Sequence, residues 1–244
     1  MELGKMYKKS NATTYTLGAS LTYELLSRKG ERALHVYFHP DFLKSEMYPV
    51  FVKMCKDNIV PTSINEKIFR RLSDKEKCLV IGEFLKYDTG IKMENNHLVL
   101  HHISNMGNLG TIIRTAIGFG FDDIVLIRPS CDIYDPKVIR ATMGAIFQIR
   151  FAYYESFEDY QKEAGDREYY CFRLNASEDL RKVKKAEHYS LVFGNESSGL
   201  PEEFDHIGNG VLIHTAKTID SLSLPVAVSI GLYEFTRGNS DAQK

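Results

Sequence analysis

Apolar and polar residues alternate differently in the two halves of the chain. In the first half, leucines at a helical spacing predict a helix that begins near Tyr15 and stops at Gly30. A second helix is predicted over 47–56, and short apolar runs predict strands at 33–38, 59–60 and 78–82. A polar segment containing Gly90 has no periodicity and marks the domain boundary. The pattern therefore predicts a small α/β domain at residues 1–90.

The second half, residues 91–244, alternates strands with helices. Continuous apolar runs predict strands at 97–103, 124–127, 169–174, 191–194 and 211–213. Helical spacings lie between and after them, first over 109–117 and last over 224–235. This alternation is typical of an α/β fold with a parallel sheet and helices on both faces. In such a sheet the ligand site is expected at the carboxyl ends of the strands.

Composition and charge restrict the function classes. The chain has 244 residues, of which 43% are hydrophobic and 26% charged, and these proportions are ordinary for a folded protein. The 31 basic and 32 acidic residues nearly cancel, which excludes a uniformly basic nucleic-acid coat protein. Residues 1–90 carry 15 basic against 11 acidic side chains. This excess suits contact with a polyanion, although such an imbalance is more often solvated surface.

The cysteines and the apolar runs predict the compartment. The four cysteines are scattered without a C-x-x-C pair, and no histidine lies at metal-ligand spacing, so reduced thiols and no metal site are expected. We find no apolar stretch of membrane length and no signal sequence in these residues. We therefore expect a cytoplasmic protein.

Three loops after predicted strands carry candidate chemistry. In the first, Gly107 and Gly110 permit a tight turn, and Asn108 is a candidate helix cap. Arg114 lies one turn into the helix, off its apolar face, where a guanidinium can clamp a phosphate. The alternative for this loop alone is an ordinary capped helix with a solvated arginine.

The second and third loops are richer in backbone and hydroxyl groups. The second loop contains Gly194, Glu196 and Gly199. It is either a turn whose amides and carboxylate hold a nucleoside or only a turn before a helix. The third loop runs over 213–227 and is long for a simple connection. Its serines are candidates for binding, although either one could only cap the last helix.

The order and spacing of these loops resemble the SpoU (TrmH-type) RNA ribose methyltransferases of the SPOUT class. The resemblance rests on three ordered motifs, Asn108-Leu-Gly-x-x-x-Arg114, Val192-Phe-Gly-Asn-Glu-x-x-Gly199 and a Ser-Leu-x-x-Pro-Val-Ala segment that leads to Arg237. It covers residues 97–238, and 136–147 resembles an intermediate helix of the family. Residues 13–85 resemble, more weakly, the ribosomal-protein-like RNA substrate-binding domain that often precedes it.

The resemblance implies a fold, a cofactor and partners. It implies a C-terminal deep trefoil knot that binds S-adenosylmethionine, a homodimer formed through the knotted domain, and tRNA or rRNA as the substrate. The implied main cofactor contacts are Gly194, Ile213 and Leu222, with Gly199, Ser221 and Glu196 shaping the pocket.

The implied reaction is methyl transfer to a ribose 2′-hydroxyl. The candidate catalytic residues are Arg114, Asn108, Glu196 and Ser223, and Arg114 would act in its own site or in that of the partner. Because a guanidinium has a pKa above ~12, we expect Arg114 to act as an electrostatic clamp rather than a base.

The sequence departs from the family pattern at three places. Ser223 stands where the family usually has Asn, His214 where it usually has Pro, and Asn105-Met-Gly107 where Asp-Pro is common. A catalytically silent RNA-binding protein therefore stays an alternative, as does a SPOUT enzyme that methylates a base. Neither the RNA nor the modified nucleotide follows from these motifs, because RNA is chosen mainly by shape and unpaired bases.

Overall fold

A computed structural model describes residues 4–73, 78–216 and 218–237. Within them the strands are β1 Thr13–Leu17, β2 Ala33–Phe38, β3 Thr62–Ile64, β4 Val80–Leu85, β5 His97–His101, β6 Asp123–Ile127, β7 Arg150–Tyr154, β8 Glu168–Phe172, β9 Glu178–Asp179, β10 Tyr189–Phe193 and β11 Asn209–Leu212. The α-helices are α1 Ala19–Lys29, α2 Tyr48–Asp57, α3 Glu66–Leu72, α4 Met106–Gly118, α5 Pro136–Thr142, α6 Phe157–Ala164 and α7 Leu224–Thr236. They form two compact units.

The first unit consists of the described residues up to Tyr87 together with Asp132–Gln148. Its four-stranded sheet has the order β1-β4-β2-β3, in which β4 is antiparallel to β1 and β2, and β2 is parallel to β3. The core on one face joins Val36, Phe38 and Val80 of the sheet to Phe51 and Cys55 of α2. This unit is a small α/β layer structure, as the apolar pattern predicts for the amino-terminal half.

Two elements of the first unit differ from the sequence prediction. The helix predicted from Tyr15 begins only at Ala19, because Thr13–Leu17 is rich in β-branched and aromatic residues and pairs with β4 as a strand. Gly18, with a φ of 119°, turns the chain between strand and helix. The strand predicted at 59–60 is also wrong, since Ile59 has a φ of 57° in the turn that ends α2.

Residues 132–148 pack in the first unit, although the predicted boundary assigns them to the second domain. The Thr14 hydroxyl donates to the Tyr134 carbonyl oxygen at 2.6 Å, and the ring of Phe147 lies 5.5 Å from that of Phe84. The intermediate helix expected over 136–147 is α5 followed by a 3-10 turn. The assignment differs because these contacts join residues more than 60 positions apart, which local patterns do not report.

The second unit contains a seven-stranded sheet with the order β7-β6-β5-β10-β8-β11-β9. Every neighbouring pair in it is parallel, which confirms the predicted α/β fold with a parallel sheet. Five of these strands match predicted apolar runs. The other two, β7 and β9, were not predicted, because β9 has two residues and β7 is mostly half-exposed.

Helices cover both faces of this sheet. On one face, Phe157 and Tyr160 of α6 pack against Val99, Val125 and Val192. On the other face α7 lies so close that a Cβ at Gly231 would come within 2.9 Å of the rings of Phe172 and Phe193. Side chains alternate along a strand, so these two sets point to opposite faces. In the described part of the chain, no helix has the length and apolar character that a membrane crossing requires.

Candidate functional site

A cavity of about 300 Å³ opens at the carboxyl ends of β8, β10 and β11 in the second unit. Its lining includes the five residues assigned to the cofactor, together with one assigned to catalysis: Gly194, Gly199, Ile213, Ser221, Leu222 and Glu196. The second and third loops, which are separate in the sequence, therefore form one wall of a single cavity.

The second loop is a tight turn that requires its glycines. The backbones of Asn195 and Gly199 exchange two N–H···O bonds of 3.0 Å, and Gly199 has a φ of 69°. A Cβ at Gly194 would lie 2.1 Å from the carbonyl carbon of Gly199. A side chain at Gly194 would thus push the two ends of the turn apart and deform the cavity wall.

The Glu196 carboxylate connects the second loop to the first. Its Oε2 accepts hydrogen bonds from the backbone N–H and hydroxyl of Ser104, at 3.2 and 3.1 Å, and its Oε1 accepts one from the backbone N–H of Asn105 at 3.0 Å. The side-chain amide of Asn108 also donates to Oε1, at 3.3 Å. Partial burial would raise the pKa of Glu196, but its own backbone N–H and these donors together hold it below its ordinary value. Glu196 is therefore an ionised acceptor that joins two loops.

The helix that follows the first loop, α4, is capped one turn earlier than predicted. Asn105, not Asn108, is the cap of α4, because its Oδ1 accepts the backbone N–H of Asn108 at 3.0 Å. This leaves the side chain of Asn108 free to reach Glu196. The sequence prediction missed the cap because Asn105 and Asn108 are equally good capping residues.

Arg114 and Ser223 lie outside the cavity lining. The Arg114 side chain is exposed on α4, off the face that buries Ile112 and Ile113, as its spacing predicts. Among residues 4–73, 78–216 and 218–237, no hydrogen bond or ion pair joins its guanidinium to another group. Ser223 is exposed at the cap position of α7, where its carbonyl oxygen accepts the N–H groups of Val226 and Ala227 and its side chain makes no capping bond.

Sequence reasoning missed one charged residue of the cavity, Arg173. It follows β8 directly, lines the cavity and forms an ion pair with Asp205. Its buried Nε has no hydrogen-bond partner among the described residues, and a Cβ at Gly210 would lie 2.4 Å from its Nη2. The detectable signal was a basic residue at the carboxyl end of a buried apolar run.

The lining fits a nucleoside-sized cofactor with an amino-acid tail. The volume lies at the lower end of the range for small-molecule sites. Val211, Leu224 and Ala227 give apolar walls for a flat ring. Thr215, Ser221 and the backbone of the second loop supply polar groups beside these walls. No cluster of three metal-ligating side chains occurs in the part of the chain that the structure describes.

Comparison with known proteins points to one family. Residues 95–233 match the SpoU rRNA methylase family. Among solved structures, an AdoMet-bound rRNA methyltransferase from Sinorhizobium meliloti is 26% identical with a TM-score of 0.78, covering 93% of this chain and 87% of that one.

Two curated relatives are named as RNA methyltransferases. The mitochondrial rRNA methyltransferase 3 of Mus musculus is 28% identical in an alignment that covers 65% of this chain. The 23S rRNA (guanosine(2553)-2′-O)-methyltransferase of Bacillus subtilis is 27% identical over 139 residues, which is 56% of this chain. This chain spans 52% and 56% of their respective lengths.

Proposed function

Because the chain belongs to the SpoU rRNA methylase family, we propose that it transfers a methyl group from S-adenosylmethionine to a ribose 2′-hydroxyl of tRNA or rRNA. The observation that carries the proposal is the Glu196 bridge. It joins the first loop and Asn108, in the first turn of α4, to the loop that lines the cavity, so that the first two motifs of the sequence meet at one edge of the sheet. The 2′-O-methyltransferase among the relatives and the AdoMet-bound structure support the same reaction.

The cofactor is held, in this proposal, by the cavity. Gly194, Ile213 and Leu222 contact it mainly through backbone groups, and Gly199 and Ser221 shape the surrounding wall. When bound, the cofactor supplies a methyl group that its sulfonium makes electrophilic. The protein contributes by aligning the acceptor oxygen with that methyl group and by excluding competing water.

Arg114 and Glu196 have different roles in the reaction. Arg114, which is exposed and unpaired among the described groups, clamps the substrate phosphate and stabilises the developing negative charge on the ribose oxygen. Glu196 is a positioning residue, because its acceptor capacity is used by Ser104, Asn105 and Asn108. The ribose proton leaves to phosphate or water, since a guanidinium is a poor acceptor.

A homodimer completes the site. Apolar side chains of α7 point in several directions, and three of them form one exposed stripe. The exposed fractions are 45% for Val226, 36% for Ile230 and 58% for Tyr233. An exposed apolar stripe on an otherwise packed helix supports a partner protomer on this face. Arg114 then acts in the partner's site, which agrees with its place outside the cavity lining of its own chain. The C-terminal segment forms the deep trefoil knot implied by the family resemblance.

The predicted domain at residues 1–90 captures RNA and that at 91–244 performs transfer, apart from 132–148, which pack in the first unit. The excess of basic residues in the first half supports this division. Ser223 keeps a hydrogen-bonding hydroxyl near the cofactor loop in place of the family Asn. The protein acts in the cytoplasm.

The test is transfer of radiolabelled methyl groups from S-adenosylmethionine to unfractionated tRNA and rRNA. We expect label in RNA that nuclease digestion recovers as a 2′-O-methylated nucleotide. Binding of RNA and cofactor without incorporation would support the silent alternative, and label on a base would support the base-methylating one. Calorimetry that detects no affinity for S-adenosylmethionine would contradict the proposal.

A further inference from the structure

An arginine guanidinium lies over a tyrosine ring at the carboxyl edge of the parallel sheet, outside the cavity lining. Arg128 directly follows β6, and Tyr153 is the penultimate residue of the neighbouring strand β7. The guanidinium carbon is 4.5 Å from the centre of the tyrosine ring. The Arg128 Nε lies 3.0 Å from Oε1 of Glu155. We call Arg128, Tyr153 and Glu155 the β6–β7 platform.

Hydrogen bonds tie this platform to the first loop. The Tyr153 hydroxyl donates to the carbonyl oxygen of Cys131 at 2.7 Å, and the Cys131 Sγ lies 2.9 Å from the carbonyl oxygen of Ser104. Ser104 in turn donates its N–H and hydroxyl to Glu196. The platform is therefore tied by hydrogen bonds to the loop at Ser104, which leads into α4, the helix that carries Asn108 and Arg114.

The chemistry of the platform favours a flat ligand over a phosphate. The Arg128 side chain is 36% exposed, and the Glu155 side chain is 82% exposed. Glu155 offsets the charge of the guanidinium and uses its Nε donor, which weakens any attraction for a phosphate. The planar guanidinium, 36% exposed and in contact with the tyrosine ring, offers a surface on which a flat group can stack. Proteins that bind single-stranded RNA stack unpaired bases on such arginine planes and aromatic rings.

Building on the proposed function, we propose that the β6–β7 platform stacks a nucleobase of the RNA substrate that flanks the methylated nucleotide. The stacked base must be unpaired, so the target nucleotide lies in a loop, bulge or single-stranded segment. Stacking tolerates any base, because every base has a π face. The platform consequently selects for single-stranded structure next to the target, and other contacts select its sequence.

The test compares binding of two probes to the full-length protein. One probe is a short oligoadenylate, and the other is a ribose-phosphate oligomer of equal length without bases, both followed by fluorescence anisotropy. We expect wild-type protein to prefer the oligoadenylate. Both Arg128→Gln and Arg128→Lys should weaken oligoadenylate binding by about tenfold and leave binding of the abasic oligomer unchanged. The lysine variant is decisive because it keeps the charge and loses the plane.

Three results would overturn the platform: no preference of the wild type for the oligoadenylate, wild-type affinity in Arg128→Lys, or equal losses for both probes. Lys162→Gln is the charge-matched control, since Lys162 is exposed on α6 and paired with Glu158 without a ring beneath it. It should change neither affinity. Calorimetry with S-adenosylmethionine separates the two proposals. If the Arg128 variants bind the cofactor and still prefer the oligoadenylate as the wild type does, the platform alone is refuted. If the wild type does not bind the cofactor, the proposed function is refuted.

Discussion

The two ends of the parallel sheet differ in whether their polar residues are buried or exposed. At the amino ends of the strands, His97, Asp123 and Ser190 are fully buried. At the carboxyl ends, Ser223 is exposed and the carboxylate of Glu196 lies in the cavity wall, while Arg114 is exposed more than two turns into α4. Both ends therefore carry charged and hydroxyl groups, but the three strand residues at the amino ends are buried, whereas the carboxyl ends border a cavity.

The network at the amino ends is closed by its own hydrogen bonds. The Nδ1 of His97 lies 2.7 Å from the Tyr160 hydroxyl and 2.6 Å from Nη1 of Arg167, and the Tyr160 hydroxyl lies 2.6 Å from that of Ser190. Asp123 accepts two bonds from Arg150, at 2.8 and 2.6 Å. Buried polar groups with complete partners contribute to a unique structure, whereas exposed unpaired ones are candidates for chemistry.

The largest effect is expected for the buried ion pair at the amino end. Asp123→Ala leaves Arg150 without its main acceptor and should lower the free energy of unfolding by about 3–5 kcal/mol, as measured by urea denaturation. The control is Asp122→Ala, because Asp122 contacts the same arginine at 3.3 Å but is 45% exposed. It should cost less than about 1 kcal/mol. Equal effects would show that burial does not distinguish the two carboxylates.

On the exposed face of α4, Arg114→Ala should act on turnover and not on stability. We expect methyl transfer to fall by about 100-fold, as for removal of a donor to a developing oxyanion. The melting temperature should stay unchanged because the side chain is exposed. Arg114→Lys should recover little of the rate, since lysine cannot make a bidentate contact. Nearly full turnover of the lysine variant would rule out the clamp.

Acid should destabilise the protein through the amino-end network. Burial lowers the pKa of His97 to about 4, whereas an unfolded histidine titrates near 6.5. Between these values the unfolded chain binds a proton that the folded chain does not. The contribution of His97 is therefore complete above pH 6.5 and decreases as the pH falls towards 4, by about 3 kcal/mol.

Urea denaturation at neutral and acid pH, with His97→Gln, isolates this contribution. The variant should be less stable at neutral pH, but its stability should decrease less on acidification. His188→Gln, at an exposed histidine, should retain the wild-type pH dependence. An unchanged pH dependence of the His97 variant would contradict the assignment.

The smallest effect is expected for the bridge between the loops. Glu196→Gln keeps two acceptor sites at most and places an amide N–H against the donors of Ser104, so the first loop should shift relative to the cavity. We expect a loss of about 1–2 kcal/mol in the transition-state stabilisation measured by kcat/KM. Glu202→Gln, at an exposed glutamate beyond the same loop, is the control. A variant with wild-type kcat/KM would remove Glu196 from the set of positioning residues.

Local sequence patterns were sufficient for most elements of the second unit. The spacing of Leu109, Ile112 and Ile113 predicts the buried face of α4, and the apolar runs predict five of the seven parallel strands. The glycines of the second loop also signal a backbone requirement that the structure explains by close approach. Asn105 and Arg173 were missed because nothing in their immediate neighbourhood distinguishes them from other asparagines and arginines.

The amino-acid sequence by itself determined the alternation of strands and helices and the three motif loops, because periodicity and turn chemistry act between residues a few positions apart. Only the tertiary structure decided that Glu196 bonds to residues about 90 positions away, that 132–148 joins the first unit, and that Arg114 lies outside the cavity. These outcomes depend on which surfaces are buried together, a choice made by the whole chain and not by any segment of it.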